Sequence, residues 1–158
     1  MKTATVKELK QELSHHSQAE LVELCLRLSR FKKENKELLT YLLYEASNEA
    51  GYIDGVKAEV TQQFTEINTD SYYYIKKSVR KILRRVKVYI RYSKLKETEV
   101  ELLLYFCTEL KELRPSIARN VTLTNLYDRQ ILMIKKAVST MHEDLQYDYN
   151  LMLEEMEA

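Results

Sequence analysis

The chain has 158 residues but only two glycines and one proline, too few turn-forming residues for a strand-rich or loop-rich fold. Charged residues make up 31% and apolar residues 45%, which excludes an intrinsically disordered chain. The formal net charge is +1, and no apolar stretch approaches the ~20 residues that a membrane-spanning helix needs. These values predict one soluble, all-helical domain over residues 1–158.

The first two predicted helices begin at capping boxes, Thr5–Glu8 and Ser17–Glu20, with a break at His15–His16. The second helix is predicted to run from Ser17 to about Ala50. Along it, residues at alternating spacings of three and four form a seam typical of a coiled coil: Leu21, Leu24, Leu28, Phe31, Asn35, Leu38 and Leu42. Asn35 is the polar member of this seam, a position where such a residue can fix helix register.

Four more helices follow in the pattern. Gly51 and Asp54–Gly55 are predicted to give the second helix a place to end or bend, and a third segment follows over 53–67. A strongly basic helix is predicted over 72–94. A third capping box, Thr98–Glu101, opens a helix that ends before Pro115. A last long helix begins near residue 122 and carries an acidic tail. We therefore predict an antiparallel bundle of about six helices, two or three of them long.

The charges are distributed unevenly along the chain. Residues 71–96 hold ten basic residues and no acidic one, whereas residues 137–158 hold six acidic residues and no basic one. Six of the cations recur three and four apart and so share one helix face, which we call the basic stripe: Lys77, Arg80, Arg84, Lys87, Arg91 and Lys94. The stripe is roughly 26 Å long at 1.5 Å per residue and lies opposite an apolar stripe that includes Ile75 and Val79.

The basic stripe has several interpretations. Like charges along one helix face repel, which favours a counter-charge nearby. We predict a non-enzymatic binding or scaffold protein whose basic face meets an acidic partner, with nucleic acid, an acidic protein and an anionic membrane surface as candidates. Alternatively, the acidic tail (143–157) neutralises the basic helix internally, and the protein is a structural bundle that forms homo-oligomers through its leucine seam.

The sequence carries no recognisable catalytic, cofactor or metal site. Glu12–His15 is its only Glu-x-x-His pattern, whereas a di-metal bundle needs two such patterns and two further glutamates. Glycine-rich phosphate loops, G-x-S-x-G and cysteine ligand spacings are absent. We therefore expect no enzymatic activity, no cofactor and no metal. A deep pocket that joins His15 or His142 to buried carboxylates would instead indicate an enzyme without a known motif.

The two cysteines, Cys25 and Cys107, lie far apart within apolar helix patterns, which predicts buried free thiols. Residues 1–14 lack the apolar core of a signal peptide. Both observations favour a cytoplasmic protein.

Three stretches, 23–46, 72–106 and 122–131 with 142–149, look like a group of small all-helical bacterial proteins to which no activity is assigned. The resemblance spans nearly the whole chain. It implies a bacterial, cytoplasmic setting and carries over no functional residue.

Overall fold

The computed structural model describes residues 1–158 and contains helices and no strands. Its eight α-helices are α1 (Val6–Leu13), α2 (Gln18–Phe31), α3 (Lys33–Thr40), α4 (Glu49–Thr65), α5 (Tyr72–Ser93), α6 (Lys96–Glu112), α7 (Val121–Val138) and α8 (Glu143–Glu157). A π-helical turn (Tyr41–Glu45) and a 3₁₀ turn (Ile117–Arg119) join them. The all-helical class is confirmed, the count of about six helices is wrong, and the antiparallel arrangement stays a prediction. No helix is long and apolar enough to cross a membrane.

The chain divides into two compact units, residues 1–44 and 45–158. The first unit buries only two residues, Ser29 and Tyr41. The second unit holds the rest of the core. The single-domain assignment stays a prediction.

Both N-terminal capping boxes are confirmed. In the second box, the Ser17 hydroxyl accepts a hydrogen bond from the Glu20 amide at 3.2 Å, and the Glu20 carboxylate accepts one from the Ser17 amide at 3.0 Å. These bonds lower the pKa of Glu20, because the Ser17 amide and hydroxyl favour its charged form. Both N-terminal helices therefore begin where their sequence predicts.

The predicted long second helix is broken at Lys32, whose backbone is extended (φ −140°, ψ 148°). Helix α2 ends before this residue and α3 begins after it. Across the break, the Asn35 side-chain amide donates to the Leu28 carbonyl at 2.8 Å. Asn35 thus satisfies a carbonyl at the end of α2, which would otherwise lack a partner. The polar residue of the seam forms part of a helix break in this chain.

The predicted boundary at Gly51 and Gly55 is also wrong, because α4 runs through both glycines. The helix starts one turn earlier, where the Asn48 side chain accepts a hydrogen bond from the Gly51 amide at 3.1 Å. A Cβ atom at Gly51 would lie 2.5 Å from the Asn48 side-chain nitrogen. The glycine at 51 therefore makes room for the capping side chain.

Replacing Gly55 with alanine is expected to stabilise the protein by about 0.5–1 kcal/mol, because glycine inside a helix costs backbone entropy. A Cβ atom at this position meets nothing within 4 Å. The measurement is the free energy of unfolding in urea. Gly51→Ala is the matched control and should give no such gain, since it crowds the Asn48 cap; an equal gain in both variants would contradict this account.

Helix α6 forms the centre of the second unit and packs against α4, α5 and α7. Its core residues are at most 1% exposed: Val100, Leu102, Leu103, Phe106, Cys107 and Leu110. Burial raises the pKa of the Cys107 thiol to about 12, so this thiol stays protonated at neutral pH. The predicted burial of Cys107 is confirmed, whereas that of Cys25 is wrong, because Cys25 is exposed on α2.

The predicted third capping box, Thr98–Glu101, is also wrong. Helix α6 begins at Lys96, and the Thr98 side chain lies inside it, fully buried. The Thr98 hydroxyl donates to the Glu49 carboxylate at 2.6 Å, and the Ser93 hydroxyl donates to the same oxygen at 2.5 Å. Glu49 thereby joins the ends of α4, α5 and α6, which fixes the C-terminal end of the basic helix.

The predicted last helix is divided in two by a turn after Val138. The Ser139 hydroxyl donates to the Lys136 carbonyl at 2.6 Å, and the Thr140 hydroxyl donates to the Ala137 carbonyl at 2.7 Å. Such local bonds compete with the helical pattern and favour an end of the helix. The His142 side chain then accepts a hydrogen bond from the Asp144 amide at 3.3 Å, which caps α8.

Candidate functional site

Helix α5 has one face buried in the core and one exposed to solvent. On the buried face, Ile75, Val79, Ile82 and Val86 are at most 4% exposed. The helix ends at Lys94, which adopts a left-handed conformation with φ 62°. Burial of the apolar face holds α5 in place and leaves the opposite face to the basic stripe.

The structure places the basic stripe on the solvent side of α5. Its members are all exposed except Lys87, which is half-buried and donates to the Met133 sulfur at 3.7 Å. None of the six forms an ion pair, whereas three other lysines of this unit do: Lys57, Lys96 and Lys135. The stripe is therefore a row of cations with no acidic side chain of the protein paired to them.

The acidic tail forms α8, and its polar contacts run to α6 and α7. Glu157 pairs with Lys135 on α7 at 2.7 Å. Lys111 on α6 donates to the Met156 carbonyl, and Tyr149 donates to Glu101 on α6 at 2.9 Å. No ion pair joins this tail to the basic stripe.

Helix α5 carries three further basic residues beside the stripe: Lys76, Lys81 and Arg85. Of these, Arg85 has a partner within the protein. Its guanidinium donates to the Tyr89 hydroxyl at 2.7 Å and lies 4.3 Å from the centre of that ring. Lys81 is exposed and Lys76 is half-buried. Of these three, Lys81 extends the exposed positive surface beyond the stripe.

The tyrosines of α5 divide into structural and exposed ones. Tyr72 donates its hydroxyl to the Ser116 carbonyl at 2.8 Å, and Tyr92 is buried. Tyr73 and Tyr74 are 65% and 46% exposed, and their rings contact each other edge to face. Tyr73 lies one helical turn before Lys77 and therefore continues the line of the basic stripe. Of the five tyrosines of α5, Tyr73 and Tyr74 therefore have exposed rings.

A groove of about 730 Å³ lies beside the C-terminal half of the stripe. Arg84, Lys87, Arg91 and Lys94 line it, together with Lys96 and Glu99 of α6, which form an ion pair with each other at 3.2 Å. Its apolar lining comes from Val88, Ile90, Leu95, Leu103 and Met133. Sequence reasoning missed Lys96 and Met133, because they come from other helices and join the stripe only through the packing of α5 against α6 and α7.

The histidines considered as catalytic residues do not meet buried carboxylates. His15 and His142 are both exposed, and His142 pairs only with Asp144, at 3.7 Å, beside it in the chain. No group of three or more histidine, cysteine, aspartate or glutamate side chains has the arrangement of a metal site. On α5 the second unit presents a row of exposed cations and, at its N-terminal end, two exposed tyrosine rings.

The chain matches no protein-family model, no curated protein and no solved structure. The interpretation of the site therefore depends on its own geometry and charge.

Proposed function

We propose that this is a non-enzymatic binding protein whose basic stripe on α5 holds an acidic macromolecule, with single-stranded nucleic acid as the favoured partner. The observation that carries the proposal is a row of six cations, five of them exposed and none in an ion pair. Repulsion among these cations is relieved when phosphates lie along the row. The proposal assigns the protein to the cytoplasm, where its two free cysteines are stable.

The exposed rings favour nucleic acid over an acidic protein. Proteins that bind single strands combine a cationic track for the backbone with aromatic rings on which bases stack. Tyr73 supplies such a ring at one end of the stripe. At the other end, the apolar lining of the groove is suited to the face of a base, and Arg91 and Lys94 lie beside it to hold phosphates.

The first test is the binding of a labelled single-stranded oligonucleotide of about 16 nucleotides, a length that covers one such track. The variant K77E/R80E/R84E/K87E reverses four charges of the stripe. We expect it to lose at least about 100-fold in affinity, because each phosphate contact adds to the binding free energy. Fluorescence anisotropy at low salt measures the effect.

The matched control is R114E/R119E/R129E/K136E, which reverses four exposed cations elsewhere in the same unit and gives the same net charge. This variant should bind nearly as tightly as the wild type. Equal losses in the two variants would mean that overall charge, and not the stripe, governs binding. If an acidic polypeptide binds to the stripe and the oligonucleotide does not, the acidic-protein alternative replaces nucleic acid.

A further inference from the structure

Helix α2 carries apolar side chains that the rest of its own unit, residues 1–44, leaves exposed. Leu28 is 63% exposed, Phe31 is 78% exposed and Leu24 is 39% exposed. Monomeric proteins rarely leave so many neighbouring apolar side chains in water, and such patches mark interaction sites. Leu21, Leu24, Leu28 and Phe31 share one face of the helix, so the patch is a continuous seam.

The charges along α2 indicate what covers this seam. The acidic residues Glu20 and Glu23 lie in the N-terminal half of the helix, and the basic residues Arg27 and Arg30 lie in its C-terminal half. Two copies placed antiparallel bring the acidic half of each to the basic half of the other. A parallel pair would instead place like charges side by side and align the two helix dipoles unfavourably.

We propose that α2 pairs with α2 of a second copy of this chain, antiparallel and about a twofold axis near Leu24 and Cys25. In this register Leu21 of each copy meets Leu28 of the other, so the two seams cover each other from Leu21 to Leu28, and Phe31 lies opposite Gln18 of the second copy. Glu20 of each copy lies opposite Arg27 of the other on the flank of the seam. An interface of this kind uses the same residues twice, as twofold symmetry requires.

The local structure is compatible with this pairing. One carboxylate oxygen of Glu20 accepts the Ser17 amide at 3.0 Å, which leaves its second oxygen for the partner's arginine. Cys25 is exposed and lies next to the seam, so the twofold axis brings it close to the partner's Cys25. The pairing does not involve α5 and does not depend on the proposed nucleic-acid binding.

The oligomeric state of the full chain is the first test. Light scattering at high protein concentration should give the mass of a dimer for the wild type and half that mass for Leu28→Glu. Leu132→Glu is the matched control, since Leu132 is 65% exposed on α7 and should leave the dimer intact. Circular dichroism checks that both variants keep their helices. We expect that they do, because both leucine side chains are exposed. A monomeric wild type at every concentration would overturn the proposal.

Cross-linking tests the antiparallel register. Oxidised glutathione converts two neighbouring thiols to a disulfide and is itself reduced, and we expect it to give a covalent dimer of the wild type through Cys25. The variant Cys25→Ser/Gln18→Cys moves the thiol two helical turns along the same face. In the antiparallel register its two thiols lie about 20 Å apart along the helix axis, at 1.5 Å per residue, and should not cross-link. Equal cross-linking at both positions would indicate a parallel pair and reject the register, and a dimer without a Cys25 cross-link would reject it as well.

Discussion

Raising the salt concentration from about 50 to about 200 mM is expected to weaken the binding of a single-stranded oligonucleotide by about 100-fold. The expectation follows from the basic stripe, whose cations form no ion pairs within the protein. Each phosphate that a cation contacts releases counterions, and the logarithm of affinity falls by about 0.7 per contacted phosphate for each tenfold rise in salt. About five contacts give a slope near −3.5 and the stated loss.

Single substitutions make the same expectation more specific. Arg84→Ala removes one exposed cation from the middle of the stripe and should reduce the magnitude of the slope by about 0.7. Tyr73→Ala removes a ring but no charge, so it should weaken binding by about 1–3 kcal/mol and leave the slope unchanged. A titration of anisotropy at several salt concentrations separates the two effects. An unchanged slope for Arg84→Ala would remove this arginine from the interface.

The features that the sequence predicts well are those with local causes. The capping boxes at Thr5 and Ser17 depend on residues three apart, and both form. The two faces of α5 follow from a period of three to four residues, so the stripe and its buried counterpart lie where the pattern puts them. The end of α6 before Pro115 follows from the restricted backbone of the residue before proline.

The features that the sequence does not predict depend on competition between bonds. Asn35 has the spacing of a seam residue, yet its side chain bonds the Leu28 carbonyl across a helix break. Thr98 has the spacing of a capping residue, yet it is buried against Glu49, which is 49 residues away in the chain. Asn35 could have packed in the seam and Thr98 could have capped a helix, but each side chain forms a hydrogen bond elsewhere. Residue spacing alone does not decide between such alternatives.

The same limit applies to the candidate site. The row of cations on α5 is visible in the sequence, but the groove beside it is not, because Lys96 and Met133 reach it from other helices. The sequence also does not show which tyrosine rings of α5 are exposed to solvent. Tyr72 and Tyr73 are neighbours in the chain, yet the first is held by the Ser116 carbonyl and the second is 65% exposed.

Replacing Phe106 with alanine is expected to lower the free energy of unfolding by about 3–5 kcal/mol, a large part of the stability of a domain. Phe106 is fully buried at the centre of α6, and its ring contacts that of Phe64 on α4 with centroids 5.7 Å apart. Removing the ring takes apolar atoms from the core and leaves a cavity that the surrounding helices fill only in part. Urea unfolding measures the change.

Tyr147→Ala is the control for the loss of a ring, since Tyr147 is 65% exposed on α8 and should change stability by no more than about 0.5 kcal/mol. A loss below about 1 kcal/mol for Phe106→Ala would mean that α6 is not the centre of the core.

The basic stripe is held in place because the buried face of α5 packs on α6. Oligonucleotide binding by Phe106→Ala should therefore decrease in proportion to the unfolded fraction, whereas the charge-reversed variants lose binding while folded.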